Sequence, residues 1–221
     1  WKLFRKTAYS SLHSYPRFTW QTVIPDQRRI SKIDLSDDYL QAIRLYASCA
    51  DELKSSELYR NDLIEFVSYY VAAKAENFYK QALKDDLENR VLAAQRNLQQ
   101  TVDLLMDVDR LLASHPLYRL EEWVELARNS GTTLQEKDAY EANAKRLITS
   151  WGGIQEDYAA RFWSGLIKDY YIPRIQLYFT KDRDKIREWE EQWITSPWSN
   201  STTPFDDPVK AALNLIEKTN K

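Results

Sequence analysis

Glycine is scarce in this 221-residue chain, with four in all, cysteine occurs once and histidine twice. A lone Cys49 excludes an internal disulfide and a cysteine-based zinc site. His13 and His115 are too few to found a metal cluster without many carboxylate helpers, so neither a metal nor any other cofactor is expected. Charge of one sign is also missing: 31 Lys and Arg stand against 33 Asp and Glu, a net charge of -2. That balance leaves no positive field for a polyanion, and nucleic acid is excluded as the expected partner. No run of about eighteen apolar residues occurs, so no membrane span is expected. The chain opens at Trp1, holds its single methionine at position 106 and shows no basic-plus-apolar leader, which is expected of a piece of a longer protein.

What is present is 43% apolar residues, enough for a sizeable core, arranged with helical periods. The longest stripe is Leu87, Val91, Ala94, Leu98, Thr101, Leu105, Val108 and Leu112, whose four-three spacing predicts one packing helix over about 85–114 with Leu98 and Leu105 deeply buried. Before it, 62–83 carries Leu63, Phe66, Val67, Tyr70, Val71, Phe78 and Ala82, and Lys84-Asp85-Asp86 offers a turn that pairs the two helices antiparallel. Ser36 is a candidate cap for a helix over 37–53, with Leu40, Ile43, Ala47 and Ala50 inward, and a shorter helix is expected over 1–10. Residues 13–35 have two prolines and no sustained period, which predicts a long irregular loop better suited to a surface than to a core.

Beyond Pro116, Leu120, Trp123, Val124 and Ala127 line a helix that Gly131 is expected to stop in a left-handed cap. Thr133 and Glu136 form a capping box for a helix reaching Trp151, with Tyr140, Ala144, Leu147 and Ile148 on its inner face. Gly152-Gly153 breaks it. The next helix, about 155–179, packs Tyr158, Phe162, Leu166, Tyr170 and Leu177, and Pro173 within it predicts a kink or division near Tyr170. Ile186, Trp189 and Trp193 mark another helix, and Asp207-Pro208 opens the last after a loop at 196–206. The expected fold class is all-α: an irregular bundle of eight or nine helices in one domain over 1–221, with no sheet and no repeat of fixed period.

Catalytic signatures are absent. The adjacent acids Asp37-Asp38, Asp85-Asp86, Glu121-Glu122, Glu156-Asp157, Glu190-Glu191 and Asp206-Asp207 point about 100° apart on a helix, so each pair reads as solvation or helix-start charge. His115, ahead of Pro116 at a helix end, reads as a partner for the helix dipole. Neither a Gly-x-Ser-x-Gly nor a Ser-x-x-Lys signature stands in a suitable context. No catalytic residue is assigned.

One stretch stands apart. Gly152, Gly153 and Gly165 share 150–174 with Trp151, Trp163, Tyr158, Tyr170 and Tyr171. Aromatic planes beside a backbone break suit a sugar-binding rim, because a pyranose stacks its apolar face on indole or phenol while Asp157 or Tyr158 could orient its hydroxyls. The same residues also fit a tight inter-helix turn with Trp151 and Trp163 in the core, the glycines allowing close approach.

At this stretch the sequence resembles the C-terminal domain of the α-N-acetylglucosaminidases, glycoside hydrolase family 89, which include the lysosomal enzyme of heparan sulfate breakdown and many bacterial relatives. The residues that carry it are Leu147, Trp151-Gly152, Asp157-Tyr158-Ala159, Gly165-Leu166, Asp169-Tyr170-Tyr171 and Pro173-Arg174. Upstream, YRNDLIEFVSYYVAAKAENFY (59–79), LLMDVDRLLASHPLYRLEEWVELAR (104–128) and Tyr140-Glu141-x-Asn143 look like the family's counterpart helices, so the resemblance runs from Trp1 to about Phe179 and thins afterwards. The family's segment between the Trp-Gly and Asp-Tyr pairs can be longer than Gly153-Ile154-Gln155-Glu156.

The resemblance implies a helical domain of a larger, secreted, periplasmic or lysosomal glycosidase, packed on a catalytic barrel of the same parent chain. The implied reaction removes a terminal α-linked N-acetylglucosamine with retention, using two glutamates supplied by the barrel, so this chain alone should be inactive. Trp151, Asp157, Tyr158 and Ile154 are the substrate-binding candidates that transfer, while Trp163 and Arg174 are assigned to helix packing. Two other readings stay open: a free-standing helical interaction module and an independent carbohydrate-binding domain.

Overall fold

The computed structural model describes residues 18–22, 37–151, 160–180, 182–199 and 202–220. Among them lie nine α-helices and no strand, as the periods predicted. In chain order these are α1 (Asp37–Ala47), α2 (Ala50–Leu53), α3 (Glu57–Leu87), α4 (Val91–Leu112), α5 (Leu120–Asn129), α6 (Leu134–Leu147), α7 (Ile172–Phe179), α8 (Ile186–Thr195) and α9 (Pro208–Lys218). The proposed helix over 1–10 and the Ser36 cap lie outside the described residues.

The spine is the α3–α4 hairpin. Leu63, Ile64, Phe66, Val67, Tyr70 and Val71 bury one broad face of α3, and Ser68, Ala72 and Glu76 bury positions beyond it, so the helix sits inside others. Accordingly α4, α1 and α9 all pack on it. A second hairpin, α5–α6, carries α8 against α6. Ser56 caps α3 by accepting the N–H of Tyr59, so the helix starts a turn earlier than its apolar pattern suggests.

Several expectations are corrected. Lys84-Asp85-Asp86 is not a turn: α3 runs on to Leu87 and the chain reverses at 88–90, where Asn89 adopts φ 57°. The reason is Asp85, which is buried and accepts from Gln81 Nε2 (2.8 Å), Arg90 Nε (3.0 Å) and Asn97 Nδ2 (2.7 Å), tying the turn and α4 to α3. In consequence Leu87 and Val91 project at the hairpin tip, both more than half exposed, and Leu98 is only partly buried, whereas Leu105 is fully buried. The helix expected over 37–53 divides after Ala47, because the Tyr59 hydroxyl donates to the carbonyls of Tyr46 (3.1 Å) and Ala47 (3.4 Å) at its end.

Gly131 lacks the positive φ of a left-handed cap. Its side-chain hydrogen is required instead by proximity, since a Cβ there would stand 2.7 Å from the Lys137 nitrogen. The Thr133–Glu136 capping box forms as predicted and starts α6, but that helix ends at Leu147 and leaves Tyr140 exposed. Residues 160–163 are not helical, so no continuous helix fills 155–179; a π-helical turn over Ile167–Tyr171 leads into α7. Pro173 explains this turn: it has no N–H to donate back along the helix, and Ile172 N–H bonds five residues back to Ile167.

Of the loop expected at 13–35 the structure describes residues 18–22, and Phe18 to Gln21 lie in the core rather than at a surface. Phe18 and Trp20 stack at 5.0 Å between centroids, and Trp20 meets Tyr171 edge-on at 5.5 Å with no exposure of its own. The short 3₁₀ turn Thr19–Gln21 is pinned to α3, because the buried Glu76 carboxylate accepts both the backbone N–H (2.9 Å) and the hydroxyl (2.5 Å) of Thr19.

Candidate functional site

Trp151 stands just past the end of α6. Its N–H donates to the Arg146 carbonyl at 3.0 Å, while Thr149 Oγ1 donates to the Lys145 carbonyl at 2.7 Å, so orphan carbonyls of the last turn are satisfied as the chain leaves the helix. The indole is 46% exposed, which separates it from Trp163, half-buried against Trp123 at 6.0 Å. Ile154, Asp157 and Tyr158 lie outside the described residues. The structure therefore places one of the four sequence-proposed site residues, and that one presents its ring at the surface.

From Ala160 onward the chain is tightly held. The Arg161 carbonyl accepts the Tyr171 hydroxyl at 3.0 Å and Gln21 Nε2 at 3.4 Å. Phe162 packs on Phe18 at 5.9 Å and Trp20 at 6.3 Å. Ser164 makes an isolated parallel bridge to Arg119, with Ser164 N–H to Tyr118 O at 2.8 Å and Leu120 N–H to Ser164 O at 3.0 Å. Gly165 has φ 83° and a Cβ there would lie 3.1 Å from Leu120 Cβ, so conformation and space both demand glycine.

Two buried carboxylates brace these walls. Asp109 of α4 accepts from the Gly165 N–H (2.8 Å), the Lys168 N–H (3.0 Å), the Thr202 hydroxyl (2.6 Å) and, at 3.4 Å, the Ser164 hydroxyl. Burial pushes its proton affinity up, opposed by these donors. Glu141 of α6 takes the Arg128 guanidinium at 2.6 Å, the Lys145 ammonium at 3.2 Å and the Trp198 N–H at 2.5 Å. Lys145 in turn donates to the carbonyls of Trp193 (2.9 Å) and Ser196; burial lowers its pKa while Glu141 opposes the shift. Asp169, raised by burial, accepts the Trp198 indole N–H at 3.3 Å. The loop before α9 is thereby fastened to both hairpins.

No group of three or more metal-ligating side chains occurs among the described residues. Nor, among them, is any helix long and apolar enough to cross a membrane. A groove of about 420 Å³ runs along α9, lined by Asp107, Phe205, Lys210 and Lys218 among others; it excludes Trp151, and its Lys218 and Asp107 are paired with each other at 2.7 Å. His115 is corrected as well. It is buried, its Nδ1 accepts the Leu117 N–H at 3.1 Å, and burial lowers its pKa, so it is a neutral acceptor within a turn rather than a cation at a helix end.

Reading the sequence by acid pairs missed Asp109 and Glu141 and misjudged Asp85 and Glu190, which are buried and bonded rather than solvated. A signal was present: Asp109 falls four residues after Leu105 and three before Leu112, on the buried stripe itself, where an acid requires donors.

With this geometry established, comparison with known proteins agrees along the whole chain. The family described as "Alpha-N-acetylglucosaminidase (NAGLU) C-terminal domain" matches residues 1–218, further than the resemblance read from the motifs. Human α-N-acetylglucosaminidase is 30% identical over 154 residues, covering 68% of this chain and 21% of that protein. A family 89 glycoside hydrolase from Clostridium perfringens, solved in complex with PUGNAc, superposes with a TM-score of 0.81 at 21% identity, covering 98% of this chain and 29% of that one. The same enzyme with 2-acetamido-1,2-dideoxynojirimycin gives 0.81 at 20% identity. The chain thus spans between a fifth and a third of the length of these relatives, and it belongs to the family of α-N-acetylglucosaminidase C-terminal domains.

Proposed function

We propose that this chain is one helical domain of a retaining α-N-acetylglucosaminidase, packing on a catalytic barrel of the same parent and helping wall the pocket for a terminal α-linked N-acetylglucosamine. The observation that carries the reading is the exposed Trp151, which directly precedes residues 152–159 in sequence, in a chain matched almost end to end by the family. Its flat apolar face suits the sugar or its N-acetyl group. Tyr158 would donate a hydrogen bond to a sugar hydroxyl, Asp157 would accept one or brace the turn, and Ile154 would add an apolar contact. The relatives' bound ligands, PUGNAc and the nojirimycin derivative, support a sugar pocket in the parent class.

The chemistry belongs to the barrel. Retaining glycosidases hold a nucleophile and an acid/base carboxyl about 5–5.5 Å apart. The buried acids of this chain are instead engaged by neighbouring donors of their own domain, as Asp85, Asp109 and Glu141 illustrate. The isolated chain is accordingly expected to leave a chromogenic α-N-acetylglucosaminide intact; turnover by a pure sample, lost on mutating one of its own acids, would overturn the accessory role.

The pocket-wall role is tested in the full-length parent with Trp151→Ala and Trp163→Ala. Loss of a sugar contact of about 1.4 kcal/mol lowers kcat/KM about tenfold. Trp151→Ala should produce that loss with little change in Tm, and Trp163→Ala the reverse order. A Trp151→Ala protein that unfolds readily while its folded fraction keeps full activity would make the turn merely structural.

A further inference from the structure

Exposed leucines flank the tip of the α3–α4 hairpin (Leu87, Leu92), the α5–α6 hairpin (Leu126, Leu134) and the opposite end of α3–α4, where Leu58 and Leu117 are 71% and 77% exposed. The charges beside them differ. At the tip Glu88 pairs with Arg90, and on the α5–α6 hairpin Arg128 pairs with Asp138 at 2.8 Å and Glu141 at 2.6 Å. Beside Leu58 and Leu117 stand Asp62 and Glu65, both half-buried and neither in an ion pair among the described residues.

Leu58, Asp62 and Glu65 follow one another at four-three spacing and so share one face of α3. The turn after α4 closes on that face. Tyr118 is the hydrogen-bonding partner of Glu65, the Asp62 charge reaches His115, and His115 packs edge-on to Tyr118 at 4.5 Å. From α1, the Tyr46 hydroxyl donates to Asp62 Oδ2 at 3.1 Å. Exposed Leu117 extends the rim from Tyr118. Two carboxylates are thus held between tyrosines and leucines.

The arginines next to these residues in sequence are committed elsewhere. Arg60 donates to the carbonyls of Lys54 (3.1 Å) and Ser55 (3.0 Å), and Arg119 pairs with Glu121 and with Glu122 at 3.3 Å. Burial pushes the proton affinity of Glu65 up, its bond with Tyr118 opposes this, and the like charge of Asp62 adds to it. A cation placed against the pair would relieve both costs.

We propose that this face of α3 is a docking surface for the catalytic barrel of the same parent, with Asp62 and Glu65 receiving an arginine or lysine of the barrel while Leu58 and Leu117 cover apolar side chains around it. This rests on the packing of the domain on a barrel. Charge complementarity sets the chemistry of the occupant, because desolvated acids without a counter-ion select a basic segment. Tethering sets its source: the chain matches only 21% of the human relative and 29% of the clostridial one, and the remainder of such a parent stands at a high effective concentration that a second copy lacks.

The test places photo-leucine, a diazirine analogue of leucine's shape, at position 58, 117 or 126 of the full-length parent, one position at a time. Irradiation and mass spectrometry then identify what each position touches. Positions 58 and 117 are expected to join a barrel peptide of the same molecule. Asp62→Asn with Glu65→Gln, which keeps an acceptor for the Tyr46 and Tyr118 hydroxyls, is expected to lower that yield about tenfold with an unchanged far-UV helix signal. If the double variant unfolds, Glu65→Gln alone is read in the same way. An unchanged yield in the neutral variant would overturn the proposal, as would adducts at 58 and 117 that join residues 1–36 of this chain, a second copy or water alone. Barrel adducts from position 126 but from neither 58 nor 117 would overturn this docking face and leave barrel packing standing. No barrel adduct from any position, together with two independent unfolding transitions of the parent in calorimetry, would remove barrel packing, and this inference with it.

Discussion

Neutralising Glu190 should destabilise this domain more than the loss of any single surface charge, and the structure sets the size of the effect. Glu190 of α8 and Arg174 of α7 are about 1–2% exposed and paired at 2.9 Å, with the Tyr170 hydroxyl donating to the same carboxylate oxygen at 2.8 Å. The guanidinium also lies over the rings of Tyr170 (4.7 Å) and Tyr171 (5.5 Å) and donates to the Gln21 carbonyl at 2.7 Å, so it cannot swing out to water without dismantling the core. Glu190→Gln keeps the acceptor oxygen, and its new amide group faces a position where the carboxylate's second oxygen makes no hydrogen bond among the described residues. The change therefore removes charge and almost nothing else. Removing one partner of a buried ion pair costs about 3–5 kcal/mol, which for a chain of this length corresponds to a Tm lowered by roughly 6–20 °C. Replacing both partners, Arg174→Met with Glu190→Leu, removes both charges but takes the donor from the Gln21 carbonyl and the Glu190 acceptor from the Tyr170 hydroxyl, a loss of about 1–3 kcal/mol for each. Urea and thermal unfolding of the single and double variants measure this directly. A Glu190→Gln loss below about 1 kcal/mol, or single losses that simply add in the double variant, would show that the pair is not an isolated buried charge system.

Leu105→Ala should cost about 2–5 kcal/mol, and Leu98→Ala, at a partly buried position of the same helix, less than about 2 kcal/mol; equal losses in urea unfolding would mean the α4 face is misplaced. Thr133→Ala removes the side-chain acceptor of the α6 capping box and should cost about 0.5–2 kcal/mol by the same measurement. His115 has a folded-state pKa below its ordinary 6.5, so its contribution is complete above that pH and declines as pH falls through the lower folded value. The nearby Asp62 carboxylate works against the shift without reversing it. Because protonation would turn Nδ1 from acceptor to donor against the Leu117 N–H, His115→Asn, which keeps an acceptor, should narrow its Tm deficit to the parent chain on acidification from neutral pH. A deficit that widens instead would refute the neutral-acceptor assignment.

These cases also mark what the amino-acid sequence discloses. Periodicity located α4 because Leu105, Val108 and Leu112 repeat along one helix, and local chemistry located the starts of α6 and α9 because Thr133–Glu136 and Asp207–Pro208 act within a single turn. Features that depend on partners distant in the chain were invisible to both. Asp85 looks like a turn acid until Asn97 and Arg90 are seen to converge on it, and Gly131 looks like a cap until the start of α6 is found against it. Trp20 has no period to announce it, since it sits in a three-residue turn whose anchors are Glu76 and, through Gln21, Arg174.

The same limit governs the candidate site. Spacing treats Trp151 and Trp163 alike, each near a glycine and each within the aromatic-rich stretch. The structure separates them by what their neighbours do. Trp163 lies in a run that is fixed on either side, by Phe162 on Phe18 and by Ser164 on Tyr118 and Leu120, so its ring is carried inward onto Trp123. Trp151 donates its backbone N–H to the Arg146 carbonyl and is 46% exposed. An apolar ring of that size left about half exposed gains nothing for the fold from its outer face. On the pocket-wall proposal that outer face is what a sugar would cover, and comparing kcat/KM with Tm for Trp151→Ala separates such a contact from packing within the domain.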